Sequence, residues 1–174
     1  LIKSAFLTAG QRCTCTRRLI VIRSEKNKQC LAEFVKASSA LVVGEHGRGA
    51  SPFMGPLISR QAVENVRKMY QHFLDQGGKS LLEPKKVHQK GFFISPGIVD
   101  VSDCHHTIID EECFGPLLQV IVVQDLTEAI SVANATKYGL SSSIISVNKN
   151  EFLNVQKAVN AGVINWNRPT NGAS

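Results

Sequence analysis

Leu117-Leu118-Gln119-Val120-Ile121-Val122-Val123 is the strongest buried-strand signal in the chain, and Asp125 follows it as the opening residue of a helical stretch over 126–135. Seven mostly aliphatic and β-branched residues are too few for a core helix and suit a strand. Further strand-like runs occur at 18–22, 92–94, 98–101, 141–147 and 163–166. Helical spacing separates them. Residues 31–42 place Leu31, Phe34, Val35, Leu41 and Val42 on one stripe, with Ser38 interrupting it. Ser59 caps a helix running to residue 76, with Val63, Val66, Met69, Tyr70 and Phe73 on one face and Gly77-Gly78 ending it. Asn148 caps a helix over 151–160, and residues 2–9 read as a helix end closed by Gly10. Strands alternating with helices of this length indicate an α/β layered domain with a largely parallel sheet. Residues 44–56 hold four Gly and two Pro and form a loop.

With 174 residues, 43% of them hydrophobic, the chain can build one core. No apolar run reaches the roughly 20 residues of a membrane span. Leu1-Ile2-Lys3-Ser4-Ala5-Phe6-Leu7 lacks the parts of a signal peptide. The missing initiator Met and the uncapped polar ending both suggest a piece of a longer protein. The net charge is +6 and the pI about 9.2. Yet Arg17-Arg18, Lys26, Lys28 and Lys85-Lys86 are scattered and form no basic stripe with aromatics. This speaks for solvated surface charge and against a nucleic-acid partner. Five cysteines without a CxxC pair fit free thiols in a reducing cytoplasm.

Two stretches carry candidate chemistry. Phe6-Leu7-Thr8-Ala9-Gly10-Gln11-Arg12-Cys13 puts a cysteine just past a helix end, where Gly10 permits a sharp turn. Arg12 adjoins the thiol, and nearby positive charge favours the thiolate that attacks carbonyl carbon. An inert buried cysteine is the competing reading. Cys15 shares a face with Cys13 if the chain is extended there. The second stretch is Glu111-Glu112-Cys113-Phe114-Gly115-Pro116, two carboxylates ahead of the break that launches the apolar strand. They suit sugar hydroxyls or an ordinary acidic surface equally. Asp103-Cys104-His105-His106 invites a metal, but consecutive side chains do not converge on one tetrahedral ion, so no metal is expected. His46, His72 and His88 are isolated and expected in solvent.

Taken together these segments resemble the aldehyde dehydrogenase superfamily. Gly10-Gln11-Arg12-Cys13 is similar to its Gly-Gln-x-Cys signature, and Glu112-Cys113-Phe114-Gly115-Pro116 to its Glu-x-Phe-Gly-Pro motif. Asn134-Ala135-Thr136-Lys137-Tyr138-Gly139-Leu140-Ser141, Gly162-Val163-Ile164-Asn165-Trp166-Asn167 and Met54-Gly55-Pro56-Leu57-Ile58 resemble further segments in the same order. Within the superfamily, Ala9 to Cys15, Phe114 to Val120 and Asn165-Trp166-Asn167-Arg168-Pro169-Thr170-Asn171-Gly172-Ala173-Ser174 look most like the N-succinylglutamate 5-semialdehyde dehydrogenases of arginine degradation.

The resemblance implies a three-layer catalytic domain, incomplete here, with residues 1–174 a fragment of it and the NAD-binding Rossmann-like domain outside the chain. It implies Cys13 as nucleophile, passing through a thiohemiacetal and a thioester, with its N–H in an oxyanion hole. It implies Glu112 on the nicotinamide ribose of NAD and Phe114 beside the nicotinamide. Arg12, Thr14, Asn167 and Arg168 are expected on the substrate side, with Arg12 or Arg168 clamping a substrate carboxylate through its guanidinium fork. The family's Asn-Phe-Pro segment, its Glu-Leu/Met-Gly-Gly glutamate and its cofactor-domain lysine have no counterpart here. Its Pro-Phe-Gly-Gly segment would begin just beyond Ser174. The chain alone is therefore expected to be inactive. The complete protein is expected to be a homo-oligomer acting on a small aldehyde. A non-catalytic interaction domain and a Cys13/Cys15 redox sensor are the alternatives, since fold alone does not establish function.

Overall fold

The computed structural model describes residues 1–47, 51–88 and 90–171. Arg48-Gly49-Ala50 of the glycine-rich loop and Gly172-Ala173-Ser174 of the last motif lie outside the described residues. The order is α1 (Ile2–Phe6), a single 3-10 turn (Leu7–Gly10), β1 (Arg18–Ile22), α2 (Glu25–Ser39), α3 (Arg60–Asp75), β2 (Lys79–Leu82), β3 (Gly97–Asp100), β4 (Leu117–Val123), α4 (Leu126–Asn134), β5 (Ser141–Ile144), α5 (Lys149–Ala158) and β6 (Val163–Trp166).

The apolar run at 117–123 is the central strand, as its composition predicts. β4 runs parallel to β1 on one side and to β3 on the other; β2 closes the far edge antiparallel to β3. Six of its seven residues are buried, Gln119 among them, so both faces are covered. Leu118, Val120 and Ile121 are almost wholly enclosed, each contributing about 1.5–3 kcal/mol by leaving water. β5 and β6 form a separate two-stranded parallel sheet. The α/β class with a largely parallel sheet therefore holds.

The helices start where side chains can cap them. Ser59 accepts from the Ala62 N–H, and Asp125 from the Glu128 N–H. α3 ends in a Schellman motif: Gly77, at φ 99°, donates to the Leu74 carbonyl, and Gly78 donates to Phe73.

Five sequence expectations need correction. α2 begins at Glu25, well before residue 31, because Ser24 caps it through the Asn27 N–H. Its first turns are charged and carry no apolar stripe. Ser38 belongs to its buried face: its hydroxyl donates to the Phe34 carbonyl at 2.7 Å. Residues 92–94 form only an isolated bridge, Ile94 to Lys86, while the unforeseen β2 supplies the edge strand. His72 is partly buried, and its Nε2 atom is enclosed without a hydrogen-bond partner. Residues 2–9 are not one helix end, since Thr8 and Ala9 are left-handed at φ 57° and 54°.

Candidate active site

Parallel pairing brings the two chemical stretches together. Arg18 of β1 faces Gln119 of β4 in register. The segments that precede these strands, carrying Cys13 and Glu112, therefore leave the same end of the sheet side by side. This is the N-terminal end, whereas open α/β sheets usually bind ligands beyond their C-terminal ends.

The Cys13 segment is a chain of tight turns. Thr8, Ala9 and Gly10 are successive left-handed residues, Gly10 at φ 69°. A β-branched residue there is strained, and surrounding contacts must hold it. Arg12 Nε donates to Thr8 Oγ1 at 2.9 Å. Gln11 donates to the Thr8 and Pro56 carbonyls, and its Oε1 accepts from the Ile58 N–H at 2.9 Å. A Cβ on Gly10 would lie 2.2 Å from the Gly115 carbonyl oxygen, so this position must be glycine for the two stretches to touch. Cys15 then donates its N–H to Arg12 O at 3.0 Å, closing a turn with Cys13 and Thr14 at its centre. The chain is not extended there, so Cys13 and Cys15 do not share a face. Cys13 is exposed, while Cys15 is buried with its Sγ toward the Leu7 carbonyl.

One residue absent from the sequence-based site links the two stretches. Arg17 donates from Nε and Nη2 to Glu112 Oε1 at 3.2 and 3.1 Å. Its Nη2 also reaches the Arg12 carbonyl at 3.2 Å, and Nη1 the Gly115 carbonyl at 3.4 Å. Its guanidinium carbon stands 5.3 Å from the Phe114 ring centroid, within cation–π range. Charge scattered through the sequence carried no sign of this; only the facing carboxylate reveals it. Next to Glu112, the buried Cys113 thiol is pushed up to about 11, chiefly by desolvation, with Glu112 adding to the rise and Arg17 opposing it.

A second brace lies beside the first. Asp110 accepts from Arg18 Nη2 at 2.9 Å, Thr136 Oγ1 at 2.8 Å and the Lys137 N–H at 2.7 Å. Burial is the largest influence on its pKa and acts upward. The Lys137 N–H, the Thr136 hydroxyl and the Arg18 and Lys137 charges outweigh it, and the carboxyl sits below its ordinary value. Tyr138 Oη accepts the Glu112 N–H at 3.2 Å. The Asn134–Ser141 motif is thus fastened to the acidic loop.

The last motif approaches from the other wall. Asn167 is left-handed at φ 54° and fixed by Ser146, which donates its N–H to Oδ1 and accepts from Nδ2. Beyond it, Thr170 meets Thr16 hydroxyl to hydroxyl at 3.1 Å, and its N–H reaches Ser4 Oγ. A cleft of about 590 Å³ separates the two sheets, lined by Cys13, Arg17, Glu112, Asn167 and Arg168, and by β1 and β5. Arg12, Thr14 and Phe114 do not line it. Arg12 is occupied with Thr8, Thr14 sits within the turn, and Phe114 is 48% exposed. Among the described residues, no group of three or more His, Cys, Asp or Glu could hold a metal ion, and no helix is long and apolar enough to cross a membrane.

The sequence profile of the aldehyde dehydrogenase family matches residues 1–174. This chain belongs to the aldehyde dehydrogenase family. It is 44% identical over 173 residues to the N-succinylglutamate 5-semialdehyde dehydrogenase of Enterobacter sp. (strain 638), covering 99% of this chain and 35% of that protein. The enzyme of the same name from Yersinia pestis bv. Antiqua (strain Angola) is 40% identical over 99% of this chain and 34% of its own length. The chain thus spans about a third of the length of the curated relatives it matches. Among solved structures, lactaldehyde dehydrogenase from Escherichia coli superposes with a TM-score of 0.90 at 31% identity, over 99% of this chain and 36% of that one. A 1-pyrroline-5-carboxylate dehydrogenase from Thermus with bound NAD gives 0.87 at 29%, over 99% and 33%. The α/β fold of this aldehyde dehydrogenase chain is therefore shared with its family across nearly every residue.

Proposed function

We propose that the protein containing this chain oxidises an aldehyde with NAD through Cys13, and that its substrate is N-succinylglutamate 5-semialdehyde. The observation that carries this reading is the placement of an exposed Cys13 and of Glu112 on one cleft, with Arg17 touching both segments. The family and the names of the relatives agree with it.

Cys13, as thiolate, attacks the aldehyde carbon. A carbon–sulfur bond forms, and the carbonyl π pair moves onto oxygen, where the Cys13 N–H is assigned as one donor of an oxyanion hole. Bound NAD supplies the acceptor for the aldehyde hydrogen as hydride. Cys13 carries the oxidised product as a thioester until water cleaves it to the carboxylic acid and restores the thiol. The residues present fit the cofactor's ribose: both Arg17 bonds fall on Glu112 Oε1, and Oε2 accepts none of the bonds seen among the described residues. Phe114, exposed and stacked near Arg17, is assigned to the nicotinamide side.

The proposed substrate carries two carboxylates. Arg168 lines the cleft with Cys13, whereas Arg12 is turned to Thr8, so Arg168 is the better clamp and Asn167 shapes the wall beside it. Thr14 stays a substrate-side candidate through its place in the Cys13 turn. The complete protein is assigned to the cytoplasm as a homo-oligomer. The 174-residue chain by itself is expected to make no NADH.

In the complete protein, Cys13→Ala should lower NADH formation from the semialdehyde by about 10³-fold or more, with Cys30→Ala unchanged. NADH formation persisting in Cys13→Ala would remove the nucleophile assignment. Arg168→Ala should raise KM for the dicarboxylate aldehyde and spare a neutral one; equal losses for both would remove the clamp.

A further inference from the structure

We propose that Arg17 is a positioning residue that sets Glu112 and the Cys13 turn with a single guanidinium. The inference rests on the roles given above to Cys13 and Glu112. Three features carry it. The Arg17 side chain is partly buried, 17% exposed against 29% for Glu112. Its donors are divided between the two stretches, with Nη2 shared by Glu112 Oε1 and the Arg12 carbonyl and Nη1 on the Gly115 carbonyl. Its position is inherited from the sheet, because the Arg17 carbonyl accepts the Gln119 N–H at 2.9 Å at the start of the β1–β4 ladder.

The Arg12 carbonyl is an informative partner, since it already accepts the N–H of Cys15 and closes the turn around Cys13. Arg17 therefore presses on the nucleophile's backbone and on the ribose-binding carboxylate at once. Its plane also rests against Phe114 on the cofactor side. A lysine would keep the charge and lose the fork, because an ammonium is a point donor without fixed divergent N–H groups.

The test uses the complete enzyme and two readouts besides turnover: the NAD dissociation constant from fluorescence quenching, and the iodoacetamide rate at Cys13 by mass spectrometry. Arg17→Lys should weaken NAD binding about tenfold, the scale of losing charge-assisted hydrogen bonds. It should also change the alkylation rate at Cys13. Glu112→Gln should weaken NAD binding and leave that rate alone. The double variant should bind NAD no more weakly than Glu112→Gln, because Arg17 acts on the cofactor through that carboxylate. If Glu112→Gln weakens NAD binding and Arg17→Lys alters neither readout, the positioning role is wrong and the Glu112 reading stands. If Glu112→Gln leaves NAD binding intact, the Glu112 reading and the coupling fall together. Should Arg17→Lys fail to fold by circular dichroism, Arg17→Gln is read in the same way.

Discussion

Gly10 is where the tolerance for change is smallest. Any side chain there must adopt φ near 69° and displace the Gly115 backbone. Gly10→Ala should cost about 2–4 kcal/mol in urea unfolding, from the left-handed backbone and the overlap together. The five thiols divide just as sharply. Cys13 and Cys30 are exposed; Cys15, Cys104 and Cys113 are buried. At pH 8, iodoacetamide should label the first two quickly and leave Cys113 unmodified in the folded protein, because burial holds its thiol near 11 and protonated. Peptide mass mapping reads the result, and rapid labelling of Cys113 would contradict the buried assignment. The Gln11-x-Cys13 and Glu112-x-Phe114 patterns are legible through the family resemblance, because each motif is contiguous in sequence. Arg17 is not, since its partner Glu112 is 95 residues away.

Among the elements, the Asp110 brace joins the loop before β4 to the segment after α4. Its depressed carboxyl contributes stability that is complete above the unfolded carboxylate pKa of about 3.9 and fades as pH falls through the folded value. Asp110→Asn should therefore lower stability at pH 7 by about 1–2 kcal/mol, a figure discounted for the exposed third of the side chain. The gap between variant and parent should close below about pH 4. Urea titrations across pH would show it, and a gap independent of pH would contradict an ionised brace. Ser59→Ala, which removes the cap of α3, should cost about 1 kcal/mol, visible as a shift of the urea midpoint. α3 was readable in advance, with its cap, apolar face and glycine stop all agreeing. The start of α2 is not legible in the sequence because its opening turns are exposed and carry no apolar periodicity. β2 is not legible in the sequence because its exposed first residues, Lys79 and Ser80, show no apolar alternation.

At the scale of the molecule, three parallel strands, β1, β5 and β6, are left with an open edge among the described residues. Among the described residues β1 pairs only with β4, and β5 and β6 only with each other, and β1 and β5 line the cleft between the sheets. Unpaired strand edges recruit other chains. The isolated chain should therefore self-associate as concentration rises. Light scattering should then give a mass above 19.0 kDa, while a constant 19.0 kDa at every concentration would mean the edges are covered otherwise.

From the residues alone came the α/β class, the central strand at 117–123, the family likeness and the two stretches that carry the proposed chemistry. The class and the strand are written in side-chain period and turn chemistry over a few residues, and the two stretches take their roles from the resemblance of contiguous motifs. The tertiary structure decided that Cys13 faces out while Cys15 faces in, that Arg17 joins the Cys13 turn to Glu112, and that Arg168, unlike Arg12, opens on the cleft. These depend on strand register and on hydrogen bonds between distant segments, and no local pattern encodes which partner a charged side chain will meet once the sheet has formed.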